Sequence, residues 1–185
     1  MDTKTALLQA AERAVRQRGY DGFSYADLAR EVGIRKPSIH HHFPTKADLG
    51  KALIDQYCAN VFETLDAINK TPRGGDRLAA YLDIYRTSLA NGEMVCLCVA
   101  LAGERDSISE EMVSTLNAFH TRSIAWLTDI FKQATDDKSI AGVQDPRQEA
   151  MATLGLVEGA QLISRAARNT EHFDNATQLL RARLL

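Results

Sequence analysis

Residues 35–49 read RKPSIHHHFPTKADL, with three consecutive histidines, His40, His41 and His42, in the middle. Clustered imidazoles serve metal ligation, proton transfer, or donation of ring N–H groups to an acceptor. On a helix, successive residues point about 100° apart, so three adjacent rings cannot converge on one ion. No Cys, Asp or Glu stands three or four residues away to complete a ligand set, and Asp48 falls beyond Pro44. No nucleophile, base and orienting group come together in the neighbourhood, so no catalytic residue is expected and the chain does not read as an enzyme. No metal or cofactor is expected either. Two readings remain for Arg35, Lys36, Ser38, His40 and His41, with Ile39 and Phe43 turned inward: a solvated polar face, or a set of N–H and O–H donors suited to the phosphates and base edges of DNA.

The elements that must position these donors are short helices. Leu7, Ala10, Ala11, Ala14 and Val15 follow helical spacing over residues 3–18, and Gly19 can end that helix. Ser24 fits an N-cap, with Asp27 three residues on forming an imperfect capping box for a helix over 25–32. Gly33 supplies the left-handed backbone of a tight turn, and Lys36-Pro37 opens the next helix, which Pro44 stops near Phe43. Two helices joined by Val32-Gly33-Ile34-Arg35 form a helix-turn-helix, the first bracing and the second entering the major groove. Thr45 caps a long helix from Lys46 to about residue 69. Further helices are expected over about 76–90, 94–104, 109–135, 146–168 and 172–184, so the fold class is all-α with about nine helices.

The run AxxVGIxKPSIHHHFPTKADL, from Ala29 to Leu49, resembles the DNA-binding domain of the TetR family of bacterial transcriptional repressors. The resemblance extends from about Leu7 to Tyr57. His40 and His42 stand where the family usually has tyrosines. The resemblance implies that Ser24, Tyr25 and Lys46 grip phosphates, while Arg35, Lys36, Ser38 and His41 lie nearest the bases. It also implies residues 1–50 as a helix-turn-helix domain and 51–185 as an effector-binding and dimerisation domain.

One short helix reads too few base pairs, so such a protein needs a twofold partner and a palindromic double-stranded operator. The expected homodimer face lies in the last two helices, with Gly155 and Gly159 allowing close approach beside Leu162, Phe173 and Leu180. Between reader and dimer face, Tyr57, Tyr81, Tyr85, Cys98, Phe119, His120 and Trp126 are candidate lining for a small-molecule effector pocket. Plain core is the alternative for any of them. Cys96 and Cys98 raise a second possibility, a repressor that senses electrophiles or oxidants through a thiol. At i, i+2 on a helix they would face nearly opposite ways, with Arg105 and His120 as candidate perturbers.

Composition agrees. Hydrophobic residues make up 45% and charged residues 25%, ordinary for a globular protein. No apolar run is long enough to cross a membrane, and three cysteines without framework spacing suit a reducing cytoplasm. Net charge is -2, but residues 1–51 sum to +3 and residues 52–185 to -5, a basic reader on an acidic remainder. An architectural DNA binder without effector and a helical carrier or enzyme are the competing classes. Sequence-independent DNA binding would mark the first, and no DNA affinity the second.

Overall fold

The computed structural model describes residues 2–185. Nine α-helices occur among them: α1 (Thr3–Arg18), α2 (Tyr25–Val32), α3 (Lys36–His42), α4 (Lys46–Ile68), α5 (Gly74–Ser88), α6 (Leu97–Ala102), α7 (Glu110–Asp137), α8 (Pro146–Ala167) and α9 (Glu171–Arg181). The only strand-like pairing among the described residues is one isolated bridge, Ile140 with Leu184. Among the described residues no helix is long and apolar enough to cross a membrane.

The helices form two compact units. The first runs up to Asn60 and includes Leu97–Asn117; the second comprises Val61–Cys96 and Ala118–Leu185. Helices α4 and α7 therefore each contribute residues to both.

The first unit is built on local signals. Asp2 caps α1 by accepting from the Thr5 amide at 2.9 Å. Leu7, Ala11 and Val15 of α1, Leu28 of α2, Ile39 of α3 and Leu49 of α4 are all fully buried. The second unit buries Leu78, Tyr81 and Leu82 of α5, Phe131 of α7, Val157 of α8 and Phe173 of α9.

One expected helix, over 94–104, needs correction. The chain turns sharply after α5, where Ala90 and Asn91 both take positive φ, and α6 begins only at Leu97. Cys96 therefore precedes the helix, and the argument that it and Cys98 face opposite ways on one helix does not apply.

Candidate nucleic-acid interface and effector site

Two reciprocal caps hold the reader helices. The Ser24 hydroxyl donates to the Asp27 carboxylate at 2.7 Å, and the same carboxylate accepts the Ser24 amide at 2.9 Å. The Asp27 amide points back at Ser24 Oγ, 3.4 Å away, so the expected capping box is complete although aspartate stands where glutamate is usual. Thr45 and Asp48 repeat the device at the start of α4: Asp48 accepts the Thr45 amide and hydroxyl, both at 2.8 Å. Leu49, the next residue, is fully buried. The Asp-Leu pair is thus a cap followed by a core residue.

Gly33 ends α2 in the left-handed region, φ 75° and ψ 32°, where a β-carbon would be strained. On α3, Ile39 is fully buried while Arg35, Lys36, Ser38, His40 and His41 are exposed. Neither Arg35 nor Lys36 is in an ion pair among the described residues. His40 is more constrained: its Nδ1 lies 3.0 Å from the Pro44 carbonyl and its ring 4.9 Å from that of Tyr25. That contact sets the ring as a donor to backbone, leaving Nε2 for a further partner. No group of three or more His, Cys, Asp or Glu able to hold a metal ion occurs among the described residues.

Two of the expected phosphate contacts look different in the structure. Tyr25 is buried, and its hydroxyl lies within donating distance of the Phe43 carbonyl, 2.9 Å, and the Thr45 carbonyl, 2.5 Å. Burial and the nearby Asp48 charge push its pKa up to about 12, so the proton stays on and is committed to backbone. Tyr25 is a brace between α2 and the α3–α4 turn, and its expected role as a phosphate donor is corrected accordingly. Lys46 is half-buried: Nζ donates to the Phe23 carbonyl at 3.0 Å and sits over the rings of Tyr20 and Phe23, 4.7 and 4.6 Å from their centres. Nζ also lies 3.9 Å from the Asp21 carboxylate.

The expected effector residues divide between the units. Tyr57 and Cys98 belong to the first, where the Arg16 guanidinium lies 5.9 Å from the Tyr57 ring and Cys98 is fully buried beside Leu97 on α6. The second unit brings the others together. Tyr81 lies 4.8 Å from Tyr85 and 5.6 Å from Trp126 between ring centres, and Phe119 lies 5.7 Å from His120. Sequence reasoning missed two partners on α8. Glu158 meets His120 Nε2 at 3.2 Å, and Gln161, fully buried, accepts the Cys96 amide at 2.7 Å through Oε1. Helical spacing alone identified neither, because both contacts join segments far apart in sequence. Ser123 Oγ, Thr153 Oγ1, Gln161 Nε2 and Ser164 Oγ are buried without a hydrogen-bond partner among the described residues.

The hydrogen bond to Glu158 raises the His120 pKa, against partial desolvation and with the carboxylate charge adding to the rise. A raised folded-state pKa contributes stability that is fully present below the unfolded value near 6.5 and is lost as pH climbs through the folded value. The melting temperature of the protein should therefore fall as pH rises above about 6.5, and Glu158→Gln should flatten that dependence. Parallel pH profiles for the two proteins would exclude the pair as its source.

The dimer-face residues also divide. Phe173 is fully buried and Leu180 nearly so within the chain, where α9 packs on α8 and α5. They are removed from the expected interface. Leu162 is 52% exposed, and Gly155 and Gly159 have open space around them. Met151, Ile163 and Leu179 join them as exposed apolar residues on α8 and α9.

With this geometry in hand, comparisons with known proteins are specific. Residues 7–53 match "Bacterial regulatory proteins, tetR family", and residues 74–180 match "Tetracyclin repressor-like, C-terminal domain". The HTH-type transcriptional repressor NemR of Escherichia coli is 26% identical over 179 residues, covering 95% of this chain and 90% of that one. A TetR-family regulator from Agrobacterium tumefaciens superposes with a TM-score of 0.91 at 30% identity, covering 98% of this chain and 96% of its own. The E. coli NemR structure described as the reduced form gives 0.85 at 25% identity, covering 100% and 98%. A basic helix face set between two capped turns, and a helical unit matched over most of its length, have one common explanation: the chain belongs to the TetR family of bacterial transcriptional regulators.

Proposed function

We propose that the chain is a homodimeric repressor that binds a palindromic operator and is released by a small-molecule effector. Residues 1–50 read DNA and 51–185 sense and dimerise. The observation that carries this reading is the exposed, cation-bearing face of α3 held between two capped turns. Arg35, Lys36, Ser38 and His41 reach base edges; His40 and Lys46 face phosphates, and Ser24, its hydroxyl committed to Asp27, holds the start of α2 beside them. Two readers joined through α8 and α9 sit about 34–36 Å apart, one helical turn, or a multiple of it.

The effector site is built from the second unit: Tyr81, Tyr85, Phe119, His120 and Trp126, together with Glu158 and Gln161. The aromatic rings supply apolar contact, and the unsatisfied buried polar groups supply orientation. Because α4 carries residues of both units, a ligand that shifts it changes the placement of the reader. Release requires the effector to bind the wrong-spacing state more tightly, by about 1–3 kcal/mol of coupling. Selection of bound fragments from random DNA tests the whole reading. Enrichment of a palindrome supports it; enrichment without twofold symmetry, or none, rejects it.

At Lys46, the salt dependence of operator binding is the discriminating measurement. Lys46→Ala should weaken binding to every sequence alike and reduce the slope of log K against log salt by about one. An unchanged slope removes Lys46 from the phosphate contacts.

A second reading, sensing of electrophiles or oxidants through Cys96 or Cys98, is favoured by one observation: a full-length relative has a structure described as its reduced form. Both thiols are buried here, 1% and 0% exposed, so reaction would require local opening. Mass spectrometry after maleimide treatment separates the readings: loss of operator binding with neither cysteine modified ends the thiol mechanism.

A further inference from the structure

The His40 ring is oriented by the protein itself. Its Nδ1 lies 3.0 Å from the Pro44 carbonyl, across the end of α3. A carbonyl oxygen can only accept, so Nδ1 carries the hydrogen. The ring also lies 4.9 Å from that of Tyr25, whose hydroxyl is committed to the Phe43 and Thr45 carbonyls. Orientation and tautomer are therefore set together, on a residue that is exposed.

That tautomer has a consequence for phosphate. In a neutral imidazole with its hydrogen on Nδ1, Nε2 has a lone pair and no hydrogen. A phosphate oxygen is an acceptor too, so neutral His40 and phosphate oppose each other. Only the imidazolium can donate to Pro44 and to phosphate at once. The tyrosine usual at this position in the TetR family makes no such demand, because its hydroxyl keeps its hydrogen up to about pH 10.

The titratable groups around the ring come from four elements. On α2, Tyr25 keeps its proton, its pKa pushed up to about 12 by burial and by the Asp48 charge. At the start of α4, Asp48 accepts the Thr45 amide and hydroxyl. On α3, Lys36 stands one turn before His40, and the rings of His41 and His42 lie 5.5 Å apart. On α1, Lys4 Nζ lies 5.9 Å from the centre of the Phe43 ring. No ion pair among the described residues includes His40.

We propose that DNA binding by this chain takes up a proton at His40, so that operator affinity rises as pH falls through the histidine range. This rests on the reading above, in which His40 faces phosphate, and adds a regulation to it: the reader responds to pH directly, apart from the effector site of the second unit. Phosphate favours the charged ring, so the proton is held more tightly in the complex than in the free reader. The gain in affinity is fully present at low pH, where the free ring is already charged. It is lost as pH rises through the value the ring takes in the complex.

The probe is a duplex recovered by the selection experiment, titrated onto the full-length protein at constant salt between about pH 6.5 and 8. Native affinity should fall as pH rises, by up to about tenfold per unit for each reader bound, since each ring takes up at most one proton. Calorimetry in two buffers of different ionisation enthalpy should count the same protons. His40→Tyr donates without titrating: it should remove the His40 share of the slope and bind more tightly than the native protein at about pH 8. His42→Tyr should keep the native slope. His120 and Glu158 are intact in both variants, so the difference from the native protein isolates His40. Three outcomes overturn the proposal. They are a native affinity independent of pH, an affinity that rises with pH as a neutral ring accepting from a base amino group would give, and a native slope that survives in His40→Tyr. If His40→Tyr does not fold, His40→Gln also donates without titrating, and a slope retained there overturns the proposal equally. A duplex bound without pH dependence is a failure of this proposal alone, whereas failure of the functional reading leaves no duplex to use.

Discussion

Replacing Ile39 with alanine is expected to abolish operator binding by melting the reader, without touching any group that faces DNA. Ile39 is fully buried on α3, on the side opposite Ser38, His40 and His41. Removing a buried isoleucine side chain to alanine costs about 2–5 kcal/mol, the spread reflecting how far the site can collapse. Helices of eight and seven residues, the lengths of α2 and α3, are not stable alone, so their order depends on this contact layer. The contrast is His41→Ala on the exposed face. It should leave thermal unfolding unchanged and weaken binding to the preferred sequence by about 1–3 kcal/mol if the ring reads a base. Calorimetry and a fluorescence binding titration on both variants check the pair. If Ile39→Ala unfolds at the native temperature, the wedge between α2 and α3 is not what holds the reader.

The reader was legible in the sequence because its determinants are local. Ser24 and Asp27, or Thr45 and Asp48, sit three residues apart and satisfy each other within one turn. Gly33, Pro37 and Pro44 each act on their own or an adjacent backbone angle. The alternation of Ser38, Ile39 and His40 follows from the helical repeat. Even the identity of the exposed donors could be read this way.

Illegible features depend on segments distant in the chain. Tyr25 has the residue type of a phosphate donor, but its hydroxyl is taken by carbonyls 18 and 20 positions away. Glu104 looks like a surface glutamate at the end of a helix, and only the folded chain brings it to Tyr20 and Asp21. The helix expected over 94–104 failed for a similar reason. The hydropathy of MVCLCVALA suits a helix throughout, but the turn at Ala90 and Asn91 redirects the chain so that the Cys96 amide meets Gln161.

The same limitation governs the dimer face, where the largest functional effect is expected. Apolar residues on α9 occupy two sides. Phe173 and Leu180 turn into the chain, and Leu179, 71% exposed, turns out. Periodicity identifies a helix as amphipathic but cannot say which of two apolar flanks meets its own chain and which a partner. Exposure separates the two flanks within one chain: Met151, Leu162, Ile163 and Leu179 are each more than half exposed, and Gly155 and Gly159 have open space around them. In the proposed homodimer these are the side chains that the partner covers. Placing carboxylates there, as Leu162→Glu with Leu179→Glu, should leave the folded chain intact, since neither side chain is buried within it. In a dimer those charges would be desolvated without partners, which is prohibitive. Sedimentation should therefore show monomers where the native protein is dimeric, and operator affinity should drop by about a thousandfold or more toward non-specific binding. Phe173→Ala provides the opposite signature: it should cost about 3–5 kcal/mol of folding stability, because that ring belongs to the core of one chain. A double glutamate variant that still sediments as a dimer would place the twofold contact elsewhere and would leave the apolar side of α8 and α9 without an assigned partner.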